Sequence, residues 1–369
     1  MKINKTRIAY FITPHGFGHA TRACAGIAEL ASRNANLEFE IFTTVPKWLF
    51  EESLIGISYR YNYLDCDLGL VQKSPFQEDI EATLMELRER IPFGKQNNTE
   101  VLKKLESLQI HGIVCDIAPM GIYFAEKLGV PSVLVENFTW DWIYSGYNKL
   151  AENADKVIKY LEDWFTRADL RIQTEPVCLP SKKGRQEIIQ VKPVARRVYQ
   201  SKEELFKKLE IPEDKKIVSI SMGGIEGSKI PVSLLEKRSG CIFILPNTGN
   251  FEVEKFGNRI ELGRKSRVYH PDLIAASDLV VGKMGYSTYS ETYCLGIPFL
   301  HIKRDQFRES FIMETYASRN SYGSGITEKE FLEMKWLNGI QKWINMKVLP
   351  RENGVVKLAK AIEKLFQLS

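Results

Sequence analysis

Along this chain, short runs of β-branched and aromatic residues alternate with stretches of helical period, and the alternation runs through twice. In the first half the expected strands are Ile8 to Thr13, Phe39 to Thr43, Ile57 to Tyr63, Ile110 to Cys115, Ser132 to Glu136 and Leu170 to Gln173. Helical patterns lie between them at Ala20 to Arg33, Glu78 to Arg90, Asn98 to Ser107, Pro119 to Leu128 and Asn153 to Thr166. Such alternation predicts an α/β fold, a parallel sheet doubly wound with helices on both faces. The proline-containing stretch Val191 to Gln200 breaks the pattern, which restarts with strands expected at Lys216 to Ser221, Cys241 to Pro246, Arg259 to Leu262, Leu279 to Gly282 and Phe299 to Ile302. We therefore expect two domains, residues 1–193 and 194–349, with a cleft between them, followed by an amphipathic helix within residues 350–369. In that last stretch Val356, Leu358, Ala359, Ile362, Leu365 and Phe366 recur at helical spacing.

Ligands of doubly wound sheets sit at the carboxyl ends of the strands, and three groups fall there in the first half. One is the loop Thr13 to Arg22 (TPHGFGHATR), where Gly16 and Gly18 permit a tight turn and close backbone approach, bringing amides and His19 to one point. The second is Asp116, just after the fourth strand. A carboxylate on Nδ1 would fix the tautomer of His19 and stabilise its protonated ring; a cap for the helix near Pro119 is the other reading. The third is NFTWDWIY, Asn137 to Tyr144, in which Asn137, Trp140 and Asp141 form either a sugar platform or a packed lid.

In the second half Gly223 and Gly224 follow a strand and can offer amides to a phosphate. The stretch SDLVVGKMGYSTYSET, Ser277 to Thr292, is more informative. Gly285 lets the chain turn so that Ser287 and Thr288 open a helix, whose N-terminus suits a diphosphate. Glu291 lies one turn further on, where it could accept hydrogen bonds from ribose hydroxyls. Ser287 and Glu291 also fit an ordinary cap and a surface acid.

The charge balance excludes some classes. A net charge of +5 over 369 residues is mild and lacks the clustered basic face of a nucleic-acid binder. Local basic groups at Lys182, Lys183 and Arg185, at Arg196 and Arg197, and at Arg264, Lys265 and Arg267 are solvated loops or a stripe facing anionic lipid or a phosphate. The cysteines Cys24, Cys66, Cys115, Cys178, Cys241 and Cys294 form no CxxC pair and read as buried thiols of a reducing compartment. No apolar run reaches the roughly 20 residues of a membrane span, and the first apolar run is short for a signal peptide. A cytoplasmic location is expected, with peripheral contact at the inner face of a membrane left open. Asp65-Cys66-Asp67 has the form of a DxD metal motif but no accompanying His or Glu cluster, and no metal is expected there.

The segment Gly285 to Glu291, of the form Gly-x-[ST]-[ST]-x-x-E, resembles the donor motif of GT-B glycosyltransferases of the MurG and UDP-glycosyltransferase type. TPHGFGHATR, with CDIAP at Cys115 to Pro119 and NFTWDWIY, resembles more closely the glycosyltransferase-like domain of plant L-arabinokinases and stand-alone bacterial relatives. The similarity covers most of the chain and implies no kinase activity. It implies a GT-B fold, two Rossmann-like domains, and an inverting, metal-independent transfer from a nucleotide-diphosphate sugar, with UDP expected and a hexosyl or N-acetylhexosaminyl group moved. It implies His19 as the base oriented by Asp116, with Gly18, Gly223, Gly224, Gly285, Ser287, Thr288 and Glu291 on the donor. Arg304, Gln306 and Glu309 fall where the family holds sugar hydroxyls, without the MurG-type Gln-Gln pair. His270 is read as structural or as a phosphate neighbour, and His111 and His301 as packing residues. No cofactor is implied. The acceptor stays open between a glycan, a glycolipid and a small molecule, with Trp48, Trp140, Trp142 and Tyr144 fitting each. A nucleotide-sugar hydrolase or epimerase, and a non-catalytic nucleotide-sugar-binding domain, are the alternatives on the same fold.

Overall fold

The computed structural model describes residues 5–74, 77–93, 98–180, 186–222, 231–238, 240–246, 249–303, 307–320 and 322–368. Gly223, Gly224, Arg304 and Gln306, and the basic group at Lys182, Lys183 and Arg185, lie outside the described residues. The chain divides into two compact units, Met1–Val194 with Asn353–Ser369, and Ala195–Glu352.

The first unit is built on strands β1 (Thr6–Ile12), β2 (Leu37–Thr43), β3 (Tyr59–Tyr63), β6 (Gly112–Asp116), β7 (Ser132–Glu136), β8 (Leu170–Thr174) and β9 (Glu187–Val191), with a small antiparallel ladder of β4 (Gln72–Ser74) and β5 (Gln77–Glu78) beside them. The order β3-β2-β1-β6-β7-β8-β9 is parallel throughout, so the winding reverses between β1 and β6. There Ile12 pairs with Asp116, and the loop after β1 leaves the sheet beside Asp116. That is the switch point at which such sheets bind ligands.

The helix Phe17–Arg33 covers one face of this sheet, turning Ala20, Ala23, Cys24 and Ile27 onto Ile8, Tyr10 and Ile12. The helix Val355–Phe366 joins the same core through Leu358, Ala359, Ile362 and Phe366. Burying Leu358, Ile362 and Phe366 is worth about 1.5–3 kcal/mol each, enough to fix a helix of this length. Its end is pinned by a hydrogen bond between His111 Nε2 and the Phe366 carbonyl at 2.7 Å. Gly112 leaves room for the Phe366 ring, since a Cβ there would come within 2.6 Å of it.

The second unit repeats the plan with β10 (Lys216–Ser221), β11 (Cys241–Pro246), β12 (Val253–Phe256), β13 (Arg259–Leu262), β14 (Leu279–Lys283), β15 (Phe299–Ile302) and β16 (Gly323–Ile326). Its order is β12-β13-β11-β10-β14-β15-β16, with only β12 antiparallel to its neighbour, and the winding reverses between β10 and β14. Ser221 pairs with Gly282 there. A Cβ on Gly282 would lie 1.8 Å from the Ser221 carbonyl oxygen, so the two strands can close only around a glycine. Gly282→Ala is expected to cost about 3 kcal/mol or more through forced strand separation, read as a lowered denaturation midpoint; an unchanged midpoint would contradict this packing.

The edge strands β9, β12 and β16 are absent from the expectations above. Each pairs on one side only, and β16, GSGI, has little β-forming character of its own. None of the six cysteines, all among the described residues, forms a disulfide, and five of them are buried. Among the described residues, no helix is long and apolar enough to cross a membrane.

Candidate functional site

The glycine loop ends at Gly16, whose φ of 77° is one that a side chain would disfavour, and the helix Phe17–Arg33 begins there without a side-chain cap. His19 therefore stands in the first turn. Its Nδ1 lies 3.0 Å from Asp116 Oδ1, in a site where the two side chains are 8% and 2% exposed. A carboxylate oxygen facing Nδ1 favours the tautomer with the proton there and the lone pair on Nε2. The ring stands edge-on to Phe138, centroids 5.7 Å apart. The other reading of Asp116, a cap for the helix Pro119–Leu128, does not apply: its N-cap is Ala118, with no side-chain cap.

Asp116 has a second partner that sequence reasoning missed. Arg22, 1% exposed, forks onto it with Nε 2.8 Å from Oδ2 and Nη2 2.6 Å from Oδ1. Its Nη1 donates to Asn137 Oδ1 at 2.9 Å and Thr174 Oγ1 at 3.0 Å. One guanidinium thus ties the ends of β6, β7 and β8 to the first helix. Burial alone would raise the Asp116 carboxyl, but the Arg22 charge and its two hydrogen bonds, with that of His19, hold it below the usual carboxylate range. The available signal was Arg22 standing as the one charge in the buried run ATRACAGIA, but its partners lie 94 to 152 residues away.

NFTWDWIY is packed rather than presented, and two of the residues expected at an acceptor lie inside the unit. Asn137 and Trp140 are fully buried, Asn137 spent on Arg22 and Trp140 donating from Nε1 to Asp67 Oδ2 at 2.5 Å. Trp140 also stacks on Tyr144 and meets His15 edge-on. Burying a whole indole is favourable once its N–H has an acceptor, and Asp67 supplies it. Asp141 is half-buried, its Oδ1 lacks a hydrogen-bond partner among the described residues, and burial raises its carboxyl. The open aromatic surface near the loop is instead Trp48, 38% exposed and edge-on to Phe17 at 5.5 Å.

Asp65 and Asp67 serve separate partners, Asp65 pairing with Arg90 at 2.7 Å. Burial pushes the Asp67 carboxyl up to about 7, against the pull of its hydrogen bonds. A raised folded value means the folded state holds the proton longer, so this group's stabilisation is full below about pH 4 and is lost as pH rises towards about 7. Asp116 and Glu291, both held low, act oppositely and lose their contribution below about pH 4. Asp67→Asn is therefore expected to flatten the stability profile between pH 4 and 7 without changing its acid limb. Denaturation midpoints across that range test this, and an unaltered slope would contradict it.

In the second unit the helix Tyr286–Leu295 opens at Gly285, again with no side-chain cap. Gly285, Ser287 and Lys283 are half-buried around that end, whereas Thr288 is 4% exposed. Glu291 is not on the surface. It is 1% exposed, its Oε1 accepting from Arg196 Nε at 3.0 Å and from Ser287 Oγ at 3.4 Å, its Oε2 from His270 Nδ1 at 2.9 Å. Burial alone would raise its carboxyl, but Arg196 and His270 hold it below the usual range. Both oxygens expected to face ribose hydroxyls are engaged by protein groups. His270 Nε2 lies 3.2 Å from Ser221 Oγ, at the end of β10, and Arg196 lies over the Tyr269 ring. Glu309 is 8% exposed in the first turn of the helix Arg308–Arg319, and Gly18 is half-buried in the first turn of its helix. His301 is 1% exposed and burial lowers it to about 4, so it stays neutral. Among the described residues, no group of three or more His, Cys, Asp or Glu is placed to hold a metal ion.

No family model matches the chain. Among curated proteins, it is 28% identical over 349 residues to an L-arabinokinase of Arabidopsis thaliana, an alignment covering 92% of this chain. The chain spans 32% of the length of that relative. Solved structures with similar folds include a UDP-glucosyltransferase from Polygonum tinctorium capable of glucosylating indoxyl, at TM-score 0.62 and 11% identity over 100% of both chains. Medicago truncatula UGT71G1 complexed with UDP-glucose matches at TM-score 0.63 and 14% identity over 98% of each. Acinetobacter baumannii MurG matches at 0.54 and 12%, over 97% of this chain and 99% of that one. The fold is that of the GT-B glycosyltransferases, two Rossmann-like α/β units in one chain.

Proposed function

We propose that the protein is an inverting, metal-independent glycosyltransferase that moves a hexosyl or N-acetylhexosaminyl group from a nucleotide-diphosphate sugar, UDP above all, to an acceptor hydroxyl. The observation that carries this reading is the His19–Asp116 pair, with Nδ1 engaged and Nε2 left to act, at an uncapped helix start. His19 Nε2 removes the acceptor proton as that oxygen attacks C1. The bond from C1 to the diphosphate oxygen breaks, the nucleoside diphosphate leaves, and the anomeric configuration inverts. Negative charge gathering on the diphosphate is met by the amides and dipole of the helix at Gly285, with Ser287 in its first turn. In this reading Glu291 acts by holding Arg196 and His270 in place. Fold likeness to UDP-sugar enzymes supports the donor class.

Product analysis by NMR tests the reaction, with an anomerically labelled donor, with and without acceptor, and with a chelator present. Transfer with inverted configuration that survives chelation is expected. Release of free sugar at the same rate regardless of acceptor would favour hydrolysis and overturn transfer; a strict cation requirement would overturn the metal-free step. The Trp48 and Phe17 rings are assigned to the acceptor. Trp48→Ala is expected to raise the acceptor KM about tenfold, the worth of one exposed ring contact of about 1.4 kcal/mol, with donor affinity unchanged. An unchanged acceptor KM would remove Trp48 from that role.

A further inference from the structure

We infer that Arg22 is a positioning residue for the base, selecting through Asp116 the His19 tautomer whose lone pair lies on Nε2. This rests on the proposed role of His19, though not on turnover for its test.

His19 Nδ1 has two neighbours of opposite character, Asp116 Oδ1 at 3.0 Å and Arg22 Nη2 at 3.3 Å. With Asp116 ionised, an Nδ1 proton is attracted to it and the lone pair falls on Nε2. With Asp116 protonated or turned away, Nδ1 would accept from the acid or from Arg22, and the proton would move to Nε2. A ring in that second state could not take a proton from an acceptor. Which state holds therefore depends on keeping Asp116 an ionised acceptor aimed at Nδ1.

Arg22 does this in two ways. The bidentate fork engages both carboxylate oxygens, fixing the plane of the group and favouring the ionised form. Its other end is anchored on Asn137 Oδ1 and Thr174 Oγ1, which holds Nη2 on Asp116 Oδ1 at 2.6 Å, the shorter contact, with His19 Nδ1 further off at 3.3 Å. A lysine would supply charge without the fork or the anchors. The spacing follows from the helix: His19 and Arg22 are three residues apart and so share one face. Burying Arg22 costs desolvation, which the fork and anchors offset.

Long-range 1H–15N spectra of histidine-labelled protein report the tautomer directly. In the wild type the His19 ring is expected as the Nδ1–H form. Arg22→Gln should populate the Nε2–H form, with kcat lowered at least about 100-fold, as when a triad histidine loses its tautomer, and with the donor KM little changed. Arg22→Lys should restore part of both signals. A folded Arg22→Gln that keeps the wild-type ring pattern would overturn the inference. So would a wild type found as Nε2–H, a result that needs no variant to fold. If the ring signals behave as stated but no donor is turned over, the positioning role stands and the transferase reading falls.

Discussion

His19→Ala is expected to lower turnover by about 10²–10⁴-fold, the usual worth of a positioned base, while the protein stays folded and still binds its donor. The reason the fold should survive is the sharing of Asp116. Its charge is matched by Arg22 at 2.8 and 2.6 Å, so removing the imidazole leaves no unpaired buried ion. The loss is one hydrogen bond and an edge-on contact with Phe138, about 1–2 kcal/mol. Removing Asp116 instead would strand Arg22 in the core and unfold the site, so Asp116 variants confound chemistry with stability. Turnover and melting of His19→Ala measured side by side decide the matter. Wild-type turnover would end the assignment of His19 as base.

Glu291→Ala is expected to destabilise the second unit by about 3–5 kcal/mol, because it leaves the Arg196 guanidinium, 6% exposed, without its counter-charge. His270 loses its Nδ1 acceptor in the same step. For a unit of this size each kcal/mol is worth about 2–4 °C, so the midpoint should fall by more than about 6 °C. Glu291→Gln keeps the side-chain oxygen for Arg196 and should fall less. Weakened donor binding in Glu291→Ala would then follow from lost order around Arg196 and His270. A variant with wild-type melting and no donor affinity would instead support direct contact with the ribose.

The sheet cores were legible because a buried parallel strand writes itself as a short apolar run, as SVLVE and KIVSIS do. Glycine loops at the strand ends marked the switch points for the same reason. Burial of polar side chains was not legible. Asn137, Trp140 and Glu291 stand at positions where the spacing allows either an exposed ligand contact or an internal partner. Their partners Arg22, Asp67 and Arg196 lie 115, 73 and 95 residues away. Local spacing places a residue on a face of a helix but does not say what lies opposite. The short edge strands escaped because half their hydrogen bonds are missing and their composition is correspondingly relaxed.

In the proposed reaction the second unit holds a nucleoside diphosphate at the helix opening with Gly285. A Cβ there meets nothing within 4 Å among the described residues and its φ of −119° suits any residue, so Gly285→Glu should fold normally while setting a negative charge where the proposal puts the diphosphate. Calorimetry of UDP, TDP, GDP and ADP on both proteins is the direct test. A ligand at 100 times its Kd adds about 2.7 kcal/mol of stability, so melting provides a second reading. Selective binding of one diphosphate by the wild type is expected, weakened at least about tenfold in Gly285→Glu with its own melting unchanged. Binding of none of the four, or equal binding by both proteins, would contradict it.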